Sequence, residues 1–185
     1  HRDLHSFPTR RSSDLIVERL DAIAFPGLTA NFDAAKSAAL ALTMLDWRDY
    51  GAAYAAQMIE TAQAFAHALA AKDVPVFGRA RGFTRSHQFA VEAAAFGGGQ
   101  AVSKHLRKAG FLACGIGLPI APVDGDMNGL RIGTPELVRW GVSAAHAPEI
   151  AGLLARALVS ETPEDLAEET AALRAQFSEL RFVRS

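Results

Sequence analysis

Arg131 is the residue whose surroundings most demand a chemical explanation. In NGLRIGTPELVRWG (residues 128–141) it stands between Leu130 and Ile132, in what reads as a short buried strand, directly before a Gly-Thr-Pro turn. Burying an unpaired charge costs several kcal/mol, so this guanidinium must meet an anion or turn toward solvent. The arginine fork suits a carboxylate, which it grips through two parallel N–H···O bonds. From spacing alone, an acidic side chain of the same chain and a carboxylate ligand satisfy it equally.

The remaining candidates carry less. FGGGQ (96–100) places glycines at a helix start, where backbone N–H groups can hold a phosphate, but it has neither the Lys-Ser/Thr of a phosphate loop nor the G-x-G-x-x-G spacing. It reads as a turn that caps a helix. His67, His87, His105 and His146 lie far apart with no H-x-x-x-H pair, so no metal site is expected. His87 falls inside an expected strand, as a hydrogen-bonded core residue or a base. His105 shares a helix with Lys104, Arg107 and Lys108 and reads as part of a solvated face. No G-x-S-x-G elbow is present. Glu164-Asp165 and Glu168-Glu169 read as solubility and helix-dipole residues. Cys114, the single cysteine, lies in an apolar run as a buried structural thiol, which fits a reducing compartment.

Composition sets the bounds. At 185 residues, half of them apolar, the chain can bury a real core. A net charge of −1 with both signs interspersed argues against nucleic acid and anionic membranes as partners. No apolar stretch approaches a membrane span and no signal-peptide core is seen, so a cytoplasmic protein is expected.

These residues need elements to position them. HSFPTRRSSDL (5–15) has no helical or strand period and resembles a translated sequencing adapter, so residues 1–15 are set aside and the biological chain is taken to start near Ile16. Residues 16–45 hold an amphipathic piece, a turn at Phe25-Pro26-Gly27 and a helix from about Asp33, capped by Asn31 or Asp33. Residues 46–73 form a long helix with Tyr54, Met58, Ile59, Ala62, Phe65 and Leu69 on one face. In residues 74–185, VPVFG, SHQFAVEA, FLACGIGLPI and GLRIGT read as strands. GGQAVSKHLRKAG is a helix closed by Gly110, and Thr134-Pro135-Glu136 is a helix start with Thr134 as cap. Helices follow over 146–159 and 163–180, the second capped by Thr162. The expected class is α+β: a small antiparallel or mixed sheet covered by helices.

The residues now support a family resemblance. NGLRIGTPELVRWG resembles the Gly-Ile/Val-Arg-Ile/Val-Gly-Thr-Pro motif of serine (glycine) hydroxymethyltransferases, IAFPGL resembles their Val-Phe-Pro-Gly segment, and SHQFAVEA resembles a strand in which a His precedes apolar residues. Together these cover about residues 16–160. The resemblance implies the C-terminal part of a fold-type I enzyme that uses pyridoxal phosphate, homo-oligomeric when intact. The three segments would be the tail of the large domain (16–45), the connecting helix (46–73) and the small domain (74–185). It also implies that Arg131 binds the α-carboxylate of a small amino-acid substrate, and that the Schiff-base lysine lies upstream. Lys36 and Lys72 read as surface lysines, so the chain alone is expected to hold no catalytic residue and to be inactive.

Two departures bear on the reaction. Where the family continues Gly-Gln-Gly-Gly-Pro, this chain has Leu28-Thr29-Ala30-Asn31-Phe32, leaving the backbone N–H groups of Ala30 and Asn31 as candidates for a neighbouring subunit's cofactor phosphate. Ile116 stands where the family has an Asn that touches tetrahydrofolate, and an apolar side chain cannot make those hydrogen bonds. The family reading is a serine/glycine hydroxymethyltransferase using tetrahydrofolate. The departures favour a folate-independent aldolase or transaldolase of an α-methyl or bulkier β-hydroxy-α-amino acid. A non-catalytic helical interaction module is the reading from a different class.

Overall fold

A computed structural model describes residues 10–28 and 33–184. The chain divides into two compact units, residues 1–44 and 45–185, at a point within helix α2 (Ala34–Ala70). Ala30 and Asn31, the expected phosphate-binding positions, lie outside the described residues, as does Asn31 as a cap.

In the first unit, α1 spans Arg10–Ala22. Residues 10–15, expected to lack helical structure, therefore belong to a helix. The chain then kinks through Ile23–Leu28, with Phe25 extended at φ −146 and ψ 128. Phe25 precedes a proline, and a residue in that position is driven from helical to extended geometry. Asp33 Oδ1 accepts the Ala35 N–H at 3.0 Å and opens α2 as expected. A single helix of 37 residues replaces the two helical stretches read from the sequence.

In the second unit, α2 buries Tyr54, Met58, Ala62, Phe65 and Leu69 at the expected three- and four-residue spacing, whereas Ile59 is half-buried. Three strands follow: β1 (Gln88–Glu92), β2 (Cys114–Ile116) and β3 (Gly129–Gly133). They form an antiparallel sheet in the order β1-β3-β2, which gives the α+β class its observed form. VPVFG contributes only a bridge, Val76 to Val91, because Pro75 has no N–H to give and Phe77 and Glu92 make the adjoining bonds. FLACGIGLPI is a strand only over Cys114–Ile116; beyond it the carbonyls of Leu118, Ile120 and Ala121 turn to the Asn128 side chain.

Phe89 and Val91 of β1 and Leu130 and Ile132 of β3 enter the core with Phe65 and Leu69 of α2, with Val102 and Leu106 of α3 (Gly99–Lys108), and with Ile150 and Leu154 of α5 (Ala147–Val159). Helix α3 packs tightly on the sheet because glycines meet there. A Cβ on Gly99 would stand 2.1 Å from the Gly129 carbonyl oxygen and 2.9 Å from Gly115 Cα. Gly110, at φ +89, closes α3 as expected. Helix α4 (Pro135–Arg139) begins at the Thr-Pro-Glu start. The expected helix 163–180 is a 3-10 turn, Pro163–Leu166, followed by α6 (Ala167–Ala175). It stops early, and Arg174 Nη1 then bonds the Phe177 carbonyl.

Candidate functional site

The period of two along β3 decides where Arg131 points. Leu130 and Ile132 occupy the core face, so Arg131 occupies the opposite face and is exposed. Arg131 pairs in register with Ala90 on β1 and with Cys114 on β2, one small side chain on each flank. Side chains directly opposite on one face stand about 5 Å apart at Cβ. The guanidinium therefore rises from the central strand between two low neighbours, clear to accept a planar anion.

Among the described residues it has no intramolecular partner. Ion pairs engage Lys36, Arg48, Lys108, Arg156, Arg181 and Arg184, and Arg79, Arg139 and Arg174 donate to backbone carbonyls. Glu92, half-buried on β1 opposite Gly129, is the diagonal acidic neighbour of Arg131 on this face and makes no ion pair. Of the two partners open at the level of sequence, an acidic side chain of the same chain is thus absent among the described residues.

The neighbourhood is partly apolar. Ile116 lies opposite Gly129 on the same face, and Leu118 covers Gly129 so closely that a Cβ there would meet Leu118 Cγ at 2.6 Å. Cys114 is half-buried on this face and not a core thiol, because its place in the pleat is opposite Arg131.

Two buried residues that the sequence reading gave no site role hold this strand. Asn128, 7% exposed, accepts the Leu118 N–H at 2.7 Å and directs its amide at the carbonyls of Leu118, Ile120 and Ala121, 2.9–3.2 Å away. Thr134, fully buried, is at the start of α4, but its hydroxyl does not cap that helix as expected. It lies 2.8 Å from the Met58 carbonyl of α2 and 3.0 Å from that of His87. Tyr54, one turn earlier on α2, donates its hydroxyl to the Pro135 carbonyl at 2.8 Å. An Asn before a strand glycine was the only local signal for the first of these, and the partners of the second are remote in sequence.

The other candidates are placed elsewhere. His87 precedes β1 and is exposed, not a core residue, since β1 starts only at Gln88. His105 is half-buried with Nε2 donating to the Ala157 carbonyl at 2.9 Å, near the C-terminus of α5, and so is not a freely solvated residue. The glycine-led start of α3 already has its anion. Asp126 accepts the N–H groups of Gln100 and Ala101 at 2.9 Å each and of Met127 at 2.6 Å, and these bonds hold its carboxyl below the ordinary carboxylate range. Among the described residues no group of three His, Cys, Asp or Glu is arranged to hold a metal, and no helix is long and apolar enough to cross a membrane.

No family model matches the chain. Against individual proteins the result is clear. The chain is 55% identical over 170 residues to an alpha-methylserine aldolase of Ralstonia sp, covering 91% of this chain and 39% of that protein. It is 57% identical over 168 residues to an alpha-methylserine aldolase of Variovorax paradoxus, with 91% and 38% covered. The chain is a homologue of the alpha-methylserine aldolases and serine hydroxymethyltransferases. A serine hydroxymethyltransferase of Pyrobaculum arsenaticum is 34% identical over 166 residues, with 90% of this chain and 39% of that protein covered. The fold agrees: the L-threonine transaldolase from Pseudomonas fluorescens, solved in an internal aldimine state, superposes with a TM-score of 0.74 at 23% identity over 86% of this chain and 36% of that one. The chain thus spans somewhat over a third of the length of the relatives it matches.

Proposed function

We propose that the chain is the C-terminal part of a pyridoxal-phosphate enzyme that makes or breaks the Cα–Cβ bond of a β-hydroxy-α-amino acid, with Arg131 gripping the substrate α-carboxylate. One observation carries this reading: an exposed guanidinium on the central strand, flanked by small side chains and with no partner among the described residues. A bidentate carboxylate fixes the rotation of the substrate about its Cα, and hence which bond is presented for cleavage.

The lysines of the chain do not suit the cofactor's covalent anchor. Lys36 is exposed and pairs with Asp33 at 3.9 Å, Lys108 pairs with Glu164 at 3.8 Å, and Lys104 is exposed on α3. Lys72 lines a groove of about 640 Å³ between α5 and α6 whose lining does not include Arg131. The electron sink would belong to the cofactor, and the part of this chain would be to bind and orient the substrate through Arg131. The intact enzyme is read as a cytoplasmic homo-oligomer.

The aldolase form of the reaction is favoured over the hydroxymethyltransferase form. Identity is 55–57% to the alpha-methylserine aldolases and 34% to the serine hydroxymethyltransferase. Ile116, on the face of Arg131, offers no hydrogen bond to a folate. The test is aldehyde release by the full-length protein from serine, α-methylserine and threonine, with and without tetrahydrofolate. Release from α-methylserine that ignores tetrahydrofolate is expected; a strict requirement for it returns the serine/glycine hydroxymethyltransferase reading.

A further inference from the structure

We infer that Asn128 and Thr134 are positioning residues for Arg131, pinning both ends of β3 so that its guanidinium meets a carboxylate in one orientation. The inference rests on the carboxylate-clamp reading of Arg131. Its ground is the distribution of buried polar side chains: among the described residues only Thr61, Ser103, Asn128 and Thr134 belong to this class. Two of these four flank Arg131, one three residues before it and one three residues after.

Burying such groups is unfavourable unless each finds partners, and both are fully engaged. Asn128 ties the incoming end of β3 to the loop that carries Leu118, the residue covering Gly129 beside Arg131. Thr134 ties the outgoing end to the Met58 carbonyl, a helical carbonyl whose second lone pair is free for a hydroxyl. Tyr54 holds the next residue, Pro135, to the same helix. Arg131 itself has a long side chain and no partner among the described residues, so where its Cα is held sets which positions its guanidinium can reach. The other two differ: Ser103 donates to the Ala113 carbonyl and joins α3 to the residue before β2, and the Thr61 hydroxyl has no hydrogen-bond partner among the described residues.

The readout is the discrimination ratio of the full-length protein: the dissociation constant for the decarboxylated amine divided by that for the parent amino acid, measured by calorimetry. Thr134→Val and Asn128→Leu are expected to lower this ratio about tenfold, the scale of one lost hydrogen bond to a charged partner, and Thr134→Ser to restore it. A general loss of packing would weaken both ligands together and leave the ratio unmoved. Tyr54→Phe, which removes only the hydroxyl on Pro135, should shift the ratio in the same direction and serves if Thr134→Val does not fold. Arg131→Met separates the two readings. If it collapses the ratio while the pin variants keep it, the positioning inference is overturned and the clamp stands. If Arg131→Met leaves the ratio intact, the clamp falls and the inference with it.

Discussion

At the scale of single residues, the guanidinium of Arg131 differs from the other arginines in what surrounds it. A lysine in its place would keep the charge but present one ammonium where two parallel N–H groups are needed. Arg131→Lys in the full-length protein is therefore expected to raise the KM for the amino-acid substrate about 10- to 100-fold, the range for a lost hydrogen bond to a charged group. Unchanged steady-state kinetics would return Arg131 to a structural role. Asp126 gives a prediction of a different kind. Its carboxyl is held below the ordinary range by the N–H groups of Gln100 and Ala101, so its contribution to stability is fully present above the unfolded carboxyl's pKa and is lost as pH falls through the lowered folded one. Asp126→Ala should lower the melting temperature at neutral pH, and the gap from the parent should close in acid; a gap constant with pH would exclude the carboxylate as its cause.

At the scale of elements, the contact between α3 and the sheet depends on glycines. Gly99→Ala places a methyl 2.1 Å from the Gly129 carbonyl, and overpacking of this kind costs about 1–3 kcal/mol or more. Gly117→Ala meets no atom within 4 Å and should stay within about 0.5 kcal/mol of the parent. Urea unfolding of the two variants compares them, and equal midpoints would mean that α3 does not sit against the strands as described. What could be read from the sequence follows the same division. The core strands β1 and β3, the buried face of α2 and the closing glycine of α3 were legible because period and turn chemistry are local. The outward turn of Arg131 also follows from Leu130 and Ile132 sharing the opposite face. The Thr134–Met58 bond joins residues 76 apart and the His105–Ala157 bond residues 52 apart, and no local pattern announces either. VPVFG has strand composition but only one bridging partner, a matter decided by tertiary neighbours and not by propensity.

At the scale of the whole molecule, the first unit exposes several large apolar side chains. Leu15, Ile16, Val17 and Leu20 of α1 are each about half exposed, and Leu40, Leu42 and Met44 more so. Apolar exposure on this scale is a liability to associate. The chain by itself is expected to sediment with a concentration-dependent mass, and Ile16→Glu with Leu20→Glu to reduce that dependence. Both tryptophans, Trp47 and Trp140, lie in the second unit, so its unfolding can be followed by their emission and should be unaltered by those changes. A mass independent of concentration would mean that this surface does not drive association.

The register of the sheet has a practical corollary. Cys114 is the only cysteine of the chain and stands directly across from Arg131. A maleimide fluorophore attached to that thiol would sit one strand away from the proposed clamp, with no other sulfhydryl in the chain to label. The molecule thus supplies its own attachment point for an optical reporter, and arrival of an anion at Arg131 could be watched in real time by emission alone, without turnover.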